Sequence, residues 1–131
     1  MNDGTGYTDL SDQGIYSGVS TDTLHISNAA TSMCGYKYRC TVTNNSNISY
    51  SDEYTLRFLL KWTGASDNAW ENPANWSCNQ VPDMYTDVII DSGLVNYPVV
   101  NSNAACKSIT VKPFTSVTVN SNYDLKIAGT P

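Results

Sequence analysis

The residues best equipped to do chemistry crowd into positions 61–91, KWTGASDNAWENPANWSCNQVPDMYTDVIID. All three tryptophans of the chain, Trp62, Trp70 and Trp76, fall within fifteen residues there, followed by Tyr85 and interleaved with Asp67, Asn68, Asn72, Asn75 and Asp83. An aromatic face flanked by amides and carboxylates is what holds a sugar ring: the ring stacks, and its hydroxyls bond the polar side chains. Trp62, Trp70, Trp76 and Tyr85 are therefore the candidate glycan-binding residues. The competing use of the same rings is as a core. Each Trp removes a large apolar area from water, and a chain with only two Phe has few other large side chains to bury. On that ground at least two of the three tryptophans are expected inside, filling a β-rich unit, and no tight binding of soluble sugar through them is expected.

Other chemistry is sparse. The one histidine, His25, lies on a strand pattern with its side chain outward, so neither a His-built metal site nor a Ser-His-Asp triad is supported. Asp67, Glu71, Asp83, Asp87 and Asp91 could pair as glycosidase carboxylates, but Asp in turn-rich sequence more often caps backbone N–H groups. No catalytic residue is assigned, and the chain is read as a non-enzyme. Asp67, Asn68, Asp83 and Asp87 could offer oxygen ligands to Ca²⁺, without the alternating loop of an EF-hand; no other cofactor is expected. The net charge of −5 divides as −2 over residues 1–61 and −3 over the remainder, so no basic face awaits nucleic acid or anionic lipid. No apolar run nears the roughly 20 residues that span a bilayer. The opening MNDGTG and the closing DLKIAGTP suggest a region of a longer protein.

The elements that must position these residues read as all-β. Charge is low at 15%, Asn, Ser, Thr and Tyr are abundant, and helix-forming runs are missing. TLHIS at 23–27 alternates Leu24 and Ile26 against polar neighbours. YKYRCTV at 36–42 sets Tyr36, Tyr38, Cys40 and Val42 on one inward face, and Tyr54, Leu56, Phe58 and Leu60 follow as an antiparallel return strand. With Tyr38 two residues before Cys40, at the place of a tyrosine corner, the stretch IYSGVSTDTLHISNAATSMCGYKYRCTVTNNSNISYSDEYTLRF resembles the second half of the Ig-like repeats in large surface proteins of Bacteroidetes-type bacteria. The upstream strands of such a repeat are missing from the 23 residues ahead of Leu24. Residues 1–60 are thus an expected half-sandwich. Its open edges near Leu24, Tyr38 and Leu56 call for cover by the Trp-rich segment or, more readily, by a second copy through strand pairing.

Residues 61–131 form the second expected segment. After the strand DVIID, the tail SITVKPFT, SVTVNSNY, DLKIAGTP repeats its apolar pairs every eight residues, Ile109, Val117, Leu125 and Val111, Val119, Ile127. Such a repeat suits either an antiparallel meander or successive sides of a right-handed parallel β-helix. The run Trp62, Gly64, Trp70, Asn75-Trp76-Ser77, Val81-Pro82, Asp87-Val88-Ile89-Ile90 and Tyr97-Pro98 resembles a pattern in secreted bacterial passenger and adhesin proteins, which implies a β-solenoid-like stalk rather than a catalytic family. Of the four cysteines, Cys34 and Cys40 lie six residues apart, about 20 Å along a straight strand against the roughly 5.5 Å a disulfide needs, so that bond requires a sharp bend at Gly35. Cys78 and Cys106 are the expected disulfide, closing a loop large enough to stabilise a small core by roughly 3 to 4 kcal/mol. Taken together, the expected protein is an extracellular or cell-surface structural or adhesion module of a large bacterial protein, whose partners are proteins or glycans. A carbohydrate-binding module attached to a secreted polysaccharide-degrading enzyme is the alternative.

Overall fold

The computed structural model describes residues 1–45 and 47–129. The chain is all-β: its described residues form thirteen short strands and two single-turn 3-10 helices, Thr31–Met33 and Pro73–Asn75. It divides into two compact units, Met1–Arg57 and Phe58–Pro131.

The first unit is held by antiparallel pairs. β1 (Tyr16–Ser17) pairs β2 (His25–Ile26), β3 (Lys37–Tyr38) pairs β6 (Tyr54–Thr55), and β4 (Thr41–Asn44) pairs β5 (Asn47–Tyr50). Met33 and Tyr38 are its buried apolar residues. The Tyr38 hydroxyl sits 3.2 Å from that of Tyr16; burial, and then this contact, push the Tyr38 pKa well above the ordinary phenol value. The inward face expected over 36–42 does not persist. Tyr38 is buried, but Cys40 and Val42 are exposed. The cause is a change of partner: the chain leaves β6 after Tyr38 and is taken up by β5 from Thr41, and every residue of the β4 and β5 strands is exposed, so neither face of that pair is buried. Arg39, where the pairing changes hands, lies between the rings of Tyr7 and Tyr50, 3.7 and 3.9 Å from their centroids. The expected return strand is likewise interrupted. Its first part is β6, with Tyr54 outward, and its last part is β7 (Leu60–Lys61), which belongs to the second unit.

Every strand pair of the second unit is parallel. β7, β8 (Asp87–Ile90) and β11 (Ser108–Val111) form one ladder; β9 (Val99–Val100) and β12 (Thr118–Val119) form another, to which Ala69 adds a parallel bridge at Val99; β10 (Ala104–Cys106) and β13 (Leu125–Ile127) form the third. The strands β8, β9 and β10 thus meet the first, second and third ladder in turn, and β11, β12 and β13 repeat that order. Apolar residues stack in register, Leu60 on Val88 on Ile109, Val100 on Val119, Cys106 on Ile127. An antiparallel meander is excluded for these strands, since sequence neighbours such as β11 and β12 lie in different ladders. The apolar residues of the eight-residue repeat thus fall in three different ladders, Ile109 and Val111 in the first, Val119 in the second, Leu125 and Ile127 in the third. β strands that must be buried inside a stack want β-branched side chains, and Val88, Ile90 and Val100 are fully enclosed, as are Pro98 and Cys106, while Leu60 and Pro82 are buried.

Candidate functional site

The Trp-rich segment occupies the long excursion between β7 and β8, and its local folding starts from hydrogen bonds. Asn72 accepts from Ala74 N at 3.1 Å and Pro73 takes the first position of the 3-10 turn, where its missing N–H costs nothing. That turn delivers Asn75 to the interior. Its Oδ1 accepts from Ser66 N and Asp67 N at 2.9 and 3.0 Å, and its Nδ2 donates to Asp67 Oδ1 at 2.6 Å and to the Ala69 carbonyl at 3.0 Å. Its own carbonyl receives Thr63 N, Gly64 N and the Thr63 hydroxyl. A fully buried amide satisfied on every side is a fixed point for the loop around it.

Around it the three indoles pack edge to face. Trp62 and Trp76 lie 5.0 Å apart at 81°, Trp70 and Trp76 4.7 Å apart at 78°, the geometry the ring quadrupole favours. Trp62 Nε1 donates to the Asn96 carbonyl and Trp76 Nε1 to the Trp70 carbonyl, each at 2.8 Å, while the buried Trp70 Nε1 has no hydrogen-bond partner. Gly64 makes the close approach of residue 96 feasible: a Cβ there would sit 2.5 Å from the Asn96 carbonyl, and the backbone is left-handed at φ +56°.

This geometry overturns the glycan platform. Trp62, Trp70 and Trp76 are 2%, 0% and 2% exposed, so no ring presents a face to a sugar; the expectation that they are core holds for all three. Of the four candidates only Tyr85 is exposed. The polar side chains meant to grip hydroxyls are engaged as well. Asp67 accepts from Ala69 N and from the amides of Asn72 and Asn75, and these bonds, in that order, hold its carboxyl below the ordinary range. Burial alone would raise Glu71. Backbone N–H groups at Glu71 itself and at Asn101, with the Ser102 hydroxyl, outweigh it and leave its pKa lowered.

The remaining candidates are dispersed. Asp83 accepts from Tyr85 N and from the Thr86 hydroxyl at 2.6 Å, a turn-closing role, and Asp87 accepts from Ser108 and pairs Lys107 at 3.5 Å. Asn68 uses its carbonyl to receive Val99 N. Among the described residues, no group of three or more His, Cys, Asp and Glu side chains is placed to hold a metal ion. His25 is exposed, and among the described residues neither it nor Asp91 belongs to a group of three or more His, Cys, Asp and Glu side chains placed to hold a metal ion.

The cysteines also differ from expectation. Cys106 is a free thiol, fully buried over Ile127, where burial and then Asp87 raise its pKa; Cys78 is disulfide-bonded without it. The Cys106 side chain belongs to the inward column of its ladder, whereas Cys78 sits in a turn with φ +75°. Cys34 is disulfide-bonded and Cys40 is free and exposed, so they are not joined to each other.

Sequence reasoning missed what the polar residues do for the first circuit. β7 pairs β8 on one edge, and its other edge is closed by Ser77, whose N–H donates to the Lys61 carbonyl while its hydroxyl accepts from Lys61 N, both at 2.9 Å. Trp62 and Trp76 extend that contact as an antiparallel bridge. At Ala69 the same work falls to side chains, Asp67 on its N–H and Asn75 on its carbonyl. The segment is an edge seal with an aromatic filling. The signal available was the run of Asn and Asp at turn positions, but Asx turns and edge seals draw on the same residues.

A fold of parallel ladders, sealed along one edge by a Trp-filled loop, defines a β-rich domain. Residues 61–130 match DUF8693, a domain of unknown function, and the chain belongs to that family. No curated protein and no solved structure matches the chain.

Proposed function

We propose that the protein is a non-catalytic structural or adhesion module of a large bacterial surface protein. In this reading residues 58–129 are circuits of a parallel β-solenoid, the first unit is an Ig-like segment, and the setting is extracellular. The observation that carries it is the first circuit: three indoles and a fully satisfied Asn75 are spent on sealing and filling a stack, leaving neither a binding face nor a catalytic pair. Such a stack is stiff along its axis because each rung is fixed to the next by a backbone ladder, which suits a spacer or stalk. Disulfide-bonded Cys34 and Cys78 fit an oxidising compartment. Among the described residues no helix is long and apolar enough to cross a membrane. Partners in this setting are proteins or glycans of cell surfaces, and the exposed β4–β5 hairpin of the first unit offers edges on which a second copy could pair.

The test is retention. The purified chain is passed over insoluble polysaccharides and a glycan array, and its hydrolytic activity is assayed on the same materials; neither retention nor turnover is expected. Retention abolished by Tyr85→Ala, with folding intact, would replace this reading by that of a carbohydrate-binding module.

A further inference from the structure

One cation of the first unit is held on both faces and left unused at its edge. The guanidinium carbon of Arg39 lies 3.7 Å from the Tyr7 ring centroid and 3.9 Å from that of Tyr50, so the rings cover the cation from either side. The rings are themselves fixed. Tyr7 is bridged to Asn2 and donates its hydroxyl to Glu53, and Tyr50 lies in β5, in register with Thr41 of β4. The sandwich removes rotamer freedom that an arginine otherwise gives up when it binds.

Among the described residues Arg39 makes no hydrogen bond and no ion pair. The carboxylate that shares this surface, Glu53, is taken on both oxygens, Oε1 by the Tyr7 hydroxyl and Oε2 by Lys37 Nζ at 2.9 Å, and these bonds, Tyr7's first, hold its pKa below the ordinary range. Lys37 and Glu53 cancel, which leaves the Arg39 charge uncompensated beside them. What is open here is the in-plane edge of one side chain, not the border of a sheet. N–H donors that share one plane, with both faces of that plane covered, suit a flat acceptor whose oxygens lie in the plane. A carboxylate is such a group, whereas a tetrahedral sulfate or phosphate turns two oxygens out of the plane toward the rings.

The surroundings favour a peptide as its carrier. On the clamp's face of the hairpin Tyr50 is neighboured by Ile48, two residues back, with Thr41 and Thr43 opposite them; Asn44 and Asn47, amides that would bond sugar hydroxyls, alternate to the other face. Tyr50 and Ile48 are 55% and 58% exposed. A positive edge and an apolar side chain one strand repeat apart match an acidic residue followed at the second position by an apolar one. We propose that Arg39, clamped by Tyr7 and Tyr50, is a carboxylate-binding site for an extended acidic peptide of a partner protein, with Glu or Asp in the fork and an apolar residue two positions away over Ile48. The choice of a protein partner rests on the adhesion reading above; the carboxylate chemistry does not.

The probe is acetyl-Thr-Glu-Thr-Val-Thr-amide, whose only charge is the Glu carboxylate, titrated into the intact isotope-labelled protein. Arginine Nε–Hε resonances read the contact directly, because the chain has two arginines and Arg57 already donates to the Thr55 carbonyl at 3.3 Å. Saturable movement of the Arg39 resonance is expected, about tenfold weaker when Gln replaces Glu in the peptide and weaker again in high salt. Tyr50→Phe keeps the ring and should leave binding unchanged. Arg39→Lys keeps the charge without the fork and should lose about tenfold in affinity, read from backbone amides, with the melting curve in place. Should that variant unfold, the Glu and Gln peptides on the unsubstituted chain decide alone. An Arg39 resonance that stays still at about 10 mM peptide, or moves equally with both peptides, overturns the proposal. So does acetate that moves it as strongly as the peptide, which would leave an anion contact without peptide recognition, and so does glucuronate that binds more tightly, which would make an acidic sugar the occupant. The adhesion reading fails separately, by turnover of polysaccharide or by retention through Tyr85, and the peptide titration touches neither.

Discussion

Asn75 shows how much of the second unit hangs on one side chain. Truncating this fully buried amide removes the acceptor of the Ser66 and Asp67 N–H groups and one donor each from the Asp67 carboxylate and the Ala69 carbonyl, and it leaves a cavity at the centre of the loop. Asn75→Ala should therefore cost roughly 2 to 4 kcal/mol, read from chemical denaturation. Trp70→Ala should cost roughly 3 to 5 kcal/mol, since the cavity lies between Trp76 and the ladder at Val99. Asp67 adds a pH dependence whose sign follows from its partners. Its folded pKa lies below the unfolded value of about 3.9. Between the two the unfolded chain binds more protons, so stability rises with pH there, is fully present above the unfolded pKa, and is lost as pH falls through the folded one. Asp67→Asn should flatten that acid limb in urea titrations run from pH 6 downward; an unchanged limb would show that Asp67 does not contribute. That the tryptophans are core was legible in the sequence, because a chain so poor in Phe needs them inside. The roles of Asn75 and Asp67 were not, because a buried hub and a surface turn draw on the same residue types.

For the strands, legibility depended on how many partners each one has. The apolar repeat from Ile109 onward was read correctly as a repeat, but the pattern alone could not assign Val111, Val119 and Ile127 to three different ladders; only the parallel register does so. At 36–42 the alternation was equally clear and misled, because Lys37–Tyr38 and Thr41–Asn44 answer to different partner strands. The ladder of β9 and β12 offers a controlled comparison, with the same residue type on successive rungs. Val100→Ala empties a closed site and should cost roughly 2 kcal/mol, while Val119→Ala should cost about 0.5 kcal/mol or less, because its side chain is already in water on one side. Equal costs, measured by thermal unfolding of the two variants, would mean that the Val119 side chain is covered in solution.

At the scale of the molecule the cysteines report on both units at once, and each is in a different state. Cys40 is a free thiol on the surface of the first unit; Cys106 is a free thiol sealed within the second, its pKa raised by burial and by Asp87; Cys34 and Cys78 are disulfide-bonded. The thiolate is the reactive form, so a buried thiol with a raised pKa is protected twice, by access and by protonation. A native, oxidised sample treated with a thiol reagent at neutral pH should therefore modify Cys40 alone. Denaturant without reductant should add Cys106, and reductant in denaturant should add Cys34 and Cys78, the sites being read by peptide mass spectrometry. Replacing Cys106 by Ser should leave the first step unchanged and delete the second, at a stability cost from placing a hydroxyl in an apolar column opposite Ile127. Labelling of Cys106 as fast as Cys40 in the native protein would show that the inward column of β10 opens on the timescale of the reaction, which the stacked arrangement does not allow.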